Sequence, residues 1–363
     1  MGIRKSIKYF LPIILMAILL ISCKESKGEA DKTGSWSQIN QTIERDEKWQ
    51  KIVSGSPFKL GERYVKGSWY TGKDDEKEDY YGIEYGTYPS LDGSTVAVPM
   101  AMEFARQHLD LSDDDAKDFV FFNTTHQSYE NLIYSRPNSG GMIRSTTTFL
   151  DENQPVDLII ATEPSQEELT LAKDNNVELL TEPVCYDAFV FITHKENPVD
   201  SLSVEEIQKI YSGEITNWKE VGGDNAKIIS YQREENSGSQ TAMKNLVMKG
   251  IPMLPPETTK VSIGMGALID AVAEYKNSRN SIGYTYKYYI DTLYKNENIK
   301  ILNIEGISPS PDNMRNSTYP FSTCYYGVIR KSDKDNTGGR FLQWMISEEG
   351  QKCIAQAGYI TLK

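Results

Sequence analysis

Two uninterrupted apolar runs, each followed by a helix-start signature, constrain this chain more than any other feature. VDLIIAT (156–162) leads into SQEELTLAKDNN, and AFVFITH (188–194) precedes SVEEIQKIYSG. A strand with no polar alternation has to be covered on both faces, as in a sheet sandwiched between helices. Ser165 with Glu168, and Ser203 with Glu206, form capping boxes: the hydroxyl accepts from a backbone N–H of the first turn and the acid reaches back. In the second helix Val204, Ile207 and Tyr211 share one face, and Gly213 is the stop.

The same alternation extends along the chain. GSTVAVPMAMEFARQHL predicts a turn and then a helix with Pro99 in its first turn, where proline is tolerated. Its apolar face would carry Met100, Ala101, Phe104, Ala105 and His108. DFVFFN (118–123) predicts a short strand, SYENLIYS (128–135) a short helix, and KIISYQ (227–232) a strand that delivers Arg233 to its end. AMKNLVM reads as helical, with Met243, Leu246 and Val247 inward; SIGYTYKYY and STCYYGVIR are later strands, and RFLQWMISEEGQKCIAQAG supplies one or two closing helices. The class is α/β, without internal repeats.

At 363 residues the chain can build two lobes or one large domain. Its formal net charge of −12 argues against nucleic acid as a partner, because phosphate repulsion would go uncompensated over a large surface. A small anion in a dry, locally organised pocket remains compatible. MGIRKSIKYF is a basic n-region, and residues 9–22 form a mostly apolar run too short to span a membrane as a helix. The run ends in Leu20-Ile21-Ser22-Cys23, similar to a bacterial lipoprotein signal with a lipid-modified Cys23. That places the body outside the cytoplasmic membrane, lipid-anchored on the periplasmic or cell-surface side. Cys185, Cys324 and Cys353 remain, with no spacing that suits zinc. Residues 24 to about 60 read as a polar tether with a short helix near 43–52, and the acid run of KGSWYTGKDDEKEDYYGIEYGTY as a solvated loop.

Three places place turn and hydroxyl residues ahead of a helix: Asp92-Gly93-Ser94-Thr95, Thr124-Thr125-His126-Gln127-Ser128, and Ser237-Gly238-Ser239. Singly these are ordinary caps. Converging beyond the carboxyl ends of strands, their N–H and O–H donors would hold a tetrahedral anion, with Arg233 adding charge. Glu163, at the end of VDLIIAT, is either a solvated loop acid or a hydrogen-bond acceptor. An acceptor separates protonated phosphate from fully ionised sulfate, which offers only lone pairs. Enzyme readings lack support: no G-x-S-x-G, P-loop, H-E-x-x-H or G-x-G-x-x-G occurs, and the three histidines are far apart. His108 reads as a half-buried structural residue, His194 as an exposed strand end and His126 as a candidate loop residue. The 22 tyrosines suit strand and cleft packing better than a carbohydrate platform.

EPVCYDAFVFITHKENPVDSLSVEEIQKIYSGEITNWKEVGG (182–223) closely resembles a signature stretch of the substrate-binding proteins of bacterial phosphate ABC transporters. QREENSGSQT resembles that family's anion-binding loop, and the later strands and final helix follow in order from about residue 85 to 363. The resemblance implies a class II periplasmic-binding-protein fold, two α/β lobes with a central cleft and two crossover segments. It divides the chain into 1–23 signal peptide, 24–84 tether and extension, 85–182 plus 308–363 lobe 1, and 183–307 lobe 2.

Carried over by position, the phosphate-binding residues would be Ser94, Thr95, Ser128, Glu163, Arg233, Ser237, Gly238 and Ser239. Ser128 would open the SYENLI helix, although the family's flanking glycines are absent. Glu163 stands where the family commonly has aspartate, and Ser239 where it has threonine. Arg233 would pair with Glu163 or Glu234. The implied partners are inorganic phosphate, the permease of an ABC transporter and the membrane through the lipid anchor. The protein would be a monomer that needs no metal or cofactor and does no chemistry. The alternatives are another oxyanion such as sulfate, molybdate or an organic phosphate, or a surface sensing or interaction protein that feeds no transporter. A Cys185–Cys324 disulfide is expected because both fall near the implied crossovers.

Overall fold

A computed structural model of the chain describes residues 64–70, 77–83, 88–109, 111–138, 155–255, 261–262, 265–274 and 278–362. The expected signal segment with Cys23, the tether and the helix near 43–52 lie outside the described residues. Among the described residues no helix is long and apolar enough to cross a membrane.

The first strands, β1 (Tyr64–Tyr70) and β2 (Lys77–Ile83), form an antiparallel hairpin by themselves. Lys77, Glu78 and Asp79, from the run expected to be a loop, belong to β2. A seven-stranded sheet then organises the chain. Its first part holds β3 (Leu91–Gly93), β4 (Leu158–Ala161) and β13 (Ser322–Arg330), and its second part β10 (Ser281–Tyr286), β7 (Ile229–Ser230) and β11 (Ile299–Ile301). β5 (Leu179–His194) joins the parts: its first half pairs with β13, its second half with β10 and β11. β5 therefore runs from the first part into the second, with β13 alongside its first half. The register between them shifts at Tyr325/Tyr326, opposite Pro183, whose missing N–H suits an irregular position.

Helices cover this frame. α1 (Val98–Leu109), α2 (Asp113–Phe119), α3 (Thr125–Ile133) and α4 (Gln166–Asp174) lie with the first part, as do the closing α9 (Thr337–Met345) and α10 (Glu348–Gln356). In the second part are α5 (Val204–Ser212), α6 (Gly238–Ala242) and α7 (Met265–Glu274); α8 (Pro311–Arg315) packs against β5 and β13. The short β6 (Ser201–Leu202), β8 (Gln232–Arg233), β9 (Val261–Ser262) and β12 (Asn303–Ile304) form two small ladders, β6 with β12 and β8 with β9. β4 shows why its sequence has no polar alternation: Leu158 and Ile160 enter the large core, while Ile159 and Ala161 enter a second core with Tyr129 and Leu132 of α3. Both expected capping boxes form.

Several expectations are corrected. DFVFFN makes no strand: Asp118 and Phe119 end α2, and side chains hold the backbone that follows, with Asn138 Nδ2 donating to Phe121 O (2.7 Å) and Asn123 N to Asp92 Oδ1 (2.8 Å). KIISYQ splits into β7 and β8, which pair with different strands. α1 is buried on nearly every side, including Glu103 and Arg106, since α2 and α10 pack around it. His108 is consequently buried rather than half-buried, and burial lowers its pKa to about 3. The run AMKNLVM is wound as a π-helix, Met243–Met248, continuing α6. Cys185 and Cys324 are both free thiols. Cys185 faces Tyr325 and Cys324 faces Tyr186 in the ladder, so strand alternation points the two thiols to opposite faces of the sheet.

Candidate functional site

β3 and β4 run parallel, so their carboxyl ends open on one side, where open α/β sheets bind ligands. Gly93 ends β3 against β4: a Cβ there would lie 2.2 Å from Ile160 O, so only glycine permits this approach. Ser94 follows, buried, with its N–H donated to Ile160 O at 2.9 Å and no capping bond from its side chain. Thr95 opens a single 3-10 turn and is exposed. Thr162 follows β4, and its carbonyl accepts from Tyr129 Oη (2.7 Å). Glu163 is exposed beyond it and accepts from Tyr326 Oη at 3.0 Å.

The second loop departs from expectation. Thr124 caps α3 by accepting from Gln127 N, so the helix opens at Thr125 rather than at Ser128. Ser128 lies one turn further in, fully buried, and its hydroxyl donates to Thr125 O at 2.7 Å. With its donor committed inside the helix, Ser128 supports Thr125 and does not face outward. His126, in the first turn, pairs through Nδ1 with Glu168 Oε1 (3.0 Å), and Glu168 Oε2 accepts from Ser165 N (2.7 Å).

The third element comes from the other lobe. Arg233 leaves β8 almost wholly buried, its N–H donated to Tyr284 Oη at 3.1 Å. Its guanidinium holds Glu234 with two bonds, Nε to Oε2 (3.1 Å) and Nη2 to Oε1 (2.7 Å), so Glu234 rather than Glu163 is its acid partner. Asn236 turns the chain in the left-handed region (φ 62°) and donates to Glu167 Oε2 of α4 at 2.5 Å, bridging the lobes. Ser237 caps α6 by accepting from Gln240 N (3.2 Å). Gly238 and Ser239 form the first turn, where backbone N–H groups have no intrahelical acceptor. Ser239 is buried and its hydroxyl has no hydrogen-bond partner among the described residues.

Gly238 shows how these elements meet. A Cβ on it would lie 2.7 Å from Thr162 Oγ1 and 3.1 Å from Thr125 Oγ1. The first turn of α6 therefore abuts the start of α3 and the end of β4, across the cleft. The two tyrosines of β10 support this loop from beneath: Tyr284 Oη donates to Gln240 Oε1, and Tyr286 Oη to Gly238 O at 3.3 Å. Burial raises the pKa of both phenols, so they stay neutral donors.

Of the sequence-predicted residues, Ser237, Gly238 and Ser239 stand in one turn and Arg233 leads into it. Ser94 sits beside β4 through Ile160, while Thr95 and Glu163 lie at exposed positions. Sequence reasoning missed Thr162 and the role of Thr125. The signal for Thr162 was its place at the end of a strand directly before Glu163. It also missed Asp92, which is fully buried and accepts from Gly93 N (2.7 Å), Asn123 N and Nδ2 (both 2.8 Å) and Asn131 Nδ2 (3.0 Å). Burial raises the Asp92 pKa, and these bonds work against the rise. Among the described residues no group of three or more His, Cys, Asp or Glu side chains is placed to hold a metal ion.

Two α/β parts joined through β5, with helix starts meeting across the cleft, define a binding-protein architecture. Residues 144–349 match the PBP superfamily domain, and the chain belongs to that superfamily. It is similar to the phosphate-binding protein PstS of Borreliella burgdorferi, 28% identical over 180 residues that make up 49% of this chain and 64% of that protein. The chain thus spans less than two thirds of the length of that relative. It is also similar to the phosphate-binding protein PstS of Bacillus subtilis, 25% identical over 239 residues, 60% of this chain and 76% of the relative. Among solved structures it resembles a putative phosphate ABC transporter substrate-binding protein with bound phosphate from Clostridium perfringens. That match has a TM-score of 0.56 and 26% identity, covering 76% of this chain and all of the other.

Proposed function

We propose that this chain is an extracytoplasmic solute-binding protein that captures inorganic phosphate in the interlobe cleft and delivers it to an ABC permease. The observation that carries this reading is the first turn of α6, with a buried, unpartnered Ser239 hydroxyl, set against Thr125 and Thr162 of the opposite lobe. Donors from both lobes then reach one anion only when the lobes are together, which couples binding to closure. Arg233 supplies cationic charge, its plane fixed by Glu234. Gly238, Ser239 and Ser237 give backbone and hydroxyl donors, Ser94 and Thr95 the first-loop donors, and Thr125 takes the place expected of Ser128.

Such a site works inside an acidic protein because its neutral dipoles are pre-oriented and shielded from water. Glu163, anchored by Tyr326, is the acceptor for the phosphate proton. In this reading lobe 1 is 85–182 plus 308–363 and lobe 2 is 183–307. Residues 1–23 are a lipoprotein signal ending at a lipidated Cys23, the body is monomeric, and it turns nothing over. The sequence relatives and the phosphate-bound structural relative support phosphate over other oxyanions.

Calorimetric titration of the body downstream of Cys23, stripped of anion, tests this reading. Phosphate binding of micromolar affinity or better at pH 6 and pH 8, undisturbed by excess sulfate, is expected. Heat with sulfate or molybdate but none with phosphate would replace the ligand. Silence with every anion from folded protein would favour a surface interaction protein.

A further inference from the structure

We propose that Asp92 is a positioning residue of the anion site, its buried carboxylate tying the loop that carries Ser94 and Thr95 to the loop that opens α3 at Thr125. The inference rests on the phosphate reading above. Asp92 Oδ1 accepts from Gly93 N and Asn123 N, and Oδ2 accepts from Asn123 Nδ2 and Asn131 Nδ2. Gly93 ends β3 directly ahead of the first loop and Asn123 lies in the second, two residues before Thr125, while Asn131 lies on the body of α3. The carboxylate thus spans three segments, and each oxygen takes two N–H donors. Those four donors fill the hydrogen-bonding capacity of an ionised carboxylate.

All four donors come from neutral groups and no cation pairs with Asp92 among the described residues, so its carboxylate places negative charge near a site meant for an anion. Long-range electrostatics would disfavour it there. The hydrogen-bond geometry explains its presence: an amide at 92 would set its own N–H groups against two of these N–H donors. Only a group that accepts at every position can bond the loops on both sides. The two effects oppose each other, which makes the sign of a substitution informative. If charge alone mattered, Asp92→Asn would tighten phosphate binding. If Asp92 positions the loops, the same change weakens it, by about tenfold to a hundredfold, the range for losing a partner that orients a ligand group.

The experiment uses the full body with Asp92→Asn and, separately, Asn123→Ala, which removes a bond to Asp92 without touching the proposed ligand contacts. Phosphate affinity is measured by calorimetry, and amide hydrogen exchange at Gly93 and Asn123 is followed without ligand. The expected result is faster exchange at those two amides, unchanged protection in the second lobe, and weakened phosphate binding, more in Asp92→Asn than in Asn123→Ala. A general stabilising role would instead speed exchange throughout and leave the affinity of the folded fraction unchanged. Equal or tighter phosphate binding by folded Asp92→Asn overturns the proposal. Should that variant not fold, unchanged affinity and unchanged exchange in Asn123→Ala overturn it. A wild-type protein that binds no phosphate would fail the functional reading, while exchange at Gly93 and Asn123 would still report whether Asp92 ties the loops.

Discussion

Replacing Gly238 with alanine should weaken anion binding while leaving the unliganded protein at least as stable as before. The added Cβ would lie 2.7 Å from Thr162 Oγ1, 3.1 Å from Thr125 Oγ1 and 3.4 Å from Thr162 Cγ2. Non-bonded heavy atoms settle at about 3.5–4.0 Å, so the shortest contact must lengthen by close to an ångström. Threonine is stiff at χ1, and both threonines are buried, so the side chains yield little. The lobes have to part instead. Overpacking of this kind costs about 1–3 kcal/mol, and because both contacts cross the cleft the cost falls on the closed form alone. That converts to about a fivefold to 150-fold loss of phosphate affinity. In the open form the substitution sits in the first turn of a helix, where alanine is favoured over glycine by up to about 1 kcal/mol. Calorimetry with phosphate, paired with thermal unfolding without it, reads both effects. Unchanged affinity in the folded variant would mean that the cleft does not close on this turn.

Arg233→Ala is expected to cost about 2–5 kcal/mol of anion binding, the range for losing one partner of a buried charged contact; less than a tenfold change in calorimetry would remove Arg233 from the site. Glu163→Gln should let sulfate compete with phosphate, and Tyr326→Phe, which releases the Glu163 side chain, should do so more weakly; unaltered competition in both would clear Glu163 of selectivity. The last prediction concerns Asp187, buried at the crossover with Ala188 N, Tyr288 N and Tyr325 Oη donating to it, and pushed up by burial to about 6. Its folded pKa lies above the ordinary 3.8, so the native state holds the proton more tightly and stability falls as pH rises from about 4 to 6. That contribution amounts to about 3 kcal/mol. Asp187→Asn should flatten this part of a stability–pH profile measured by chemical denaturation, and an identical slope in the variant would contradict the assignment.

What the sequence made legible was local. Both capping boxes form because donor and acceptor lie three residues apart, and β4 was readable because two cores claim its alternate side chains. Of the three hydroxyl-bearing turns expected to converge, the second and third meet, with Gly238 against Thr125. Misreadings arose where a distant partner decides. The apolar run 118–123 has strand composition, but α2 takes its first two residues, and Asp92 and Asn138 bond Asn123 N and Phe121 O. Thr124, Thr125 and Ser128 all offer hydroxyls, and only the position of the cap shows that Ser128 turns inward. β5 runs unbroken through Pro183 because the ladder with β13 shifts there, which no pattern within β5 announces. Asp92 looked like an ordinary turn residue because its partners Asn123 and Asn131 lie more than thirty residues away.

If one phosphate is held between the first turn of α6 and the loops at Thr125 and Thr162, a crystal structure of the body with phosphate will show it. The anion is expected within about 3 Å of backbone or hydroxyl donors of Gly238 or Ser239 and of at least one of those threonines. Phosphate bound by one lobe alone, or away from the cleft, would contradict it.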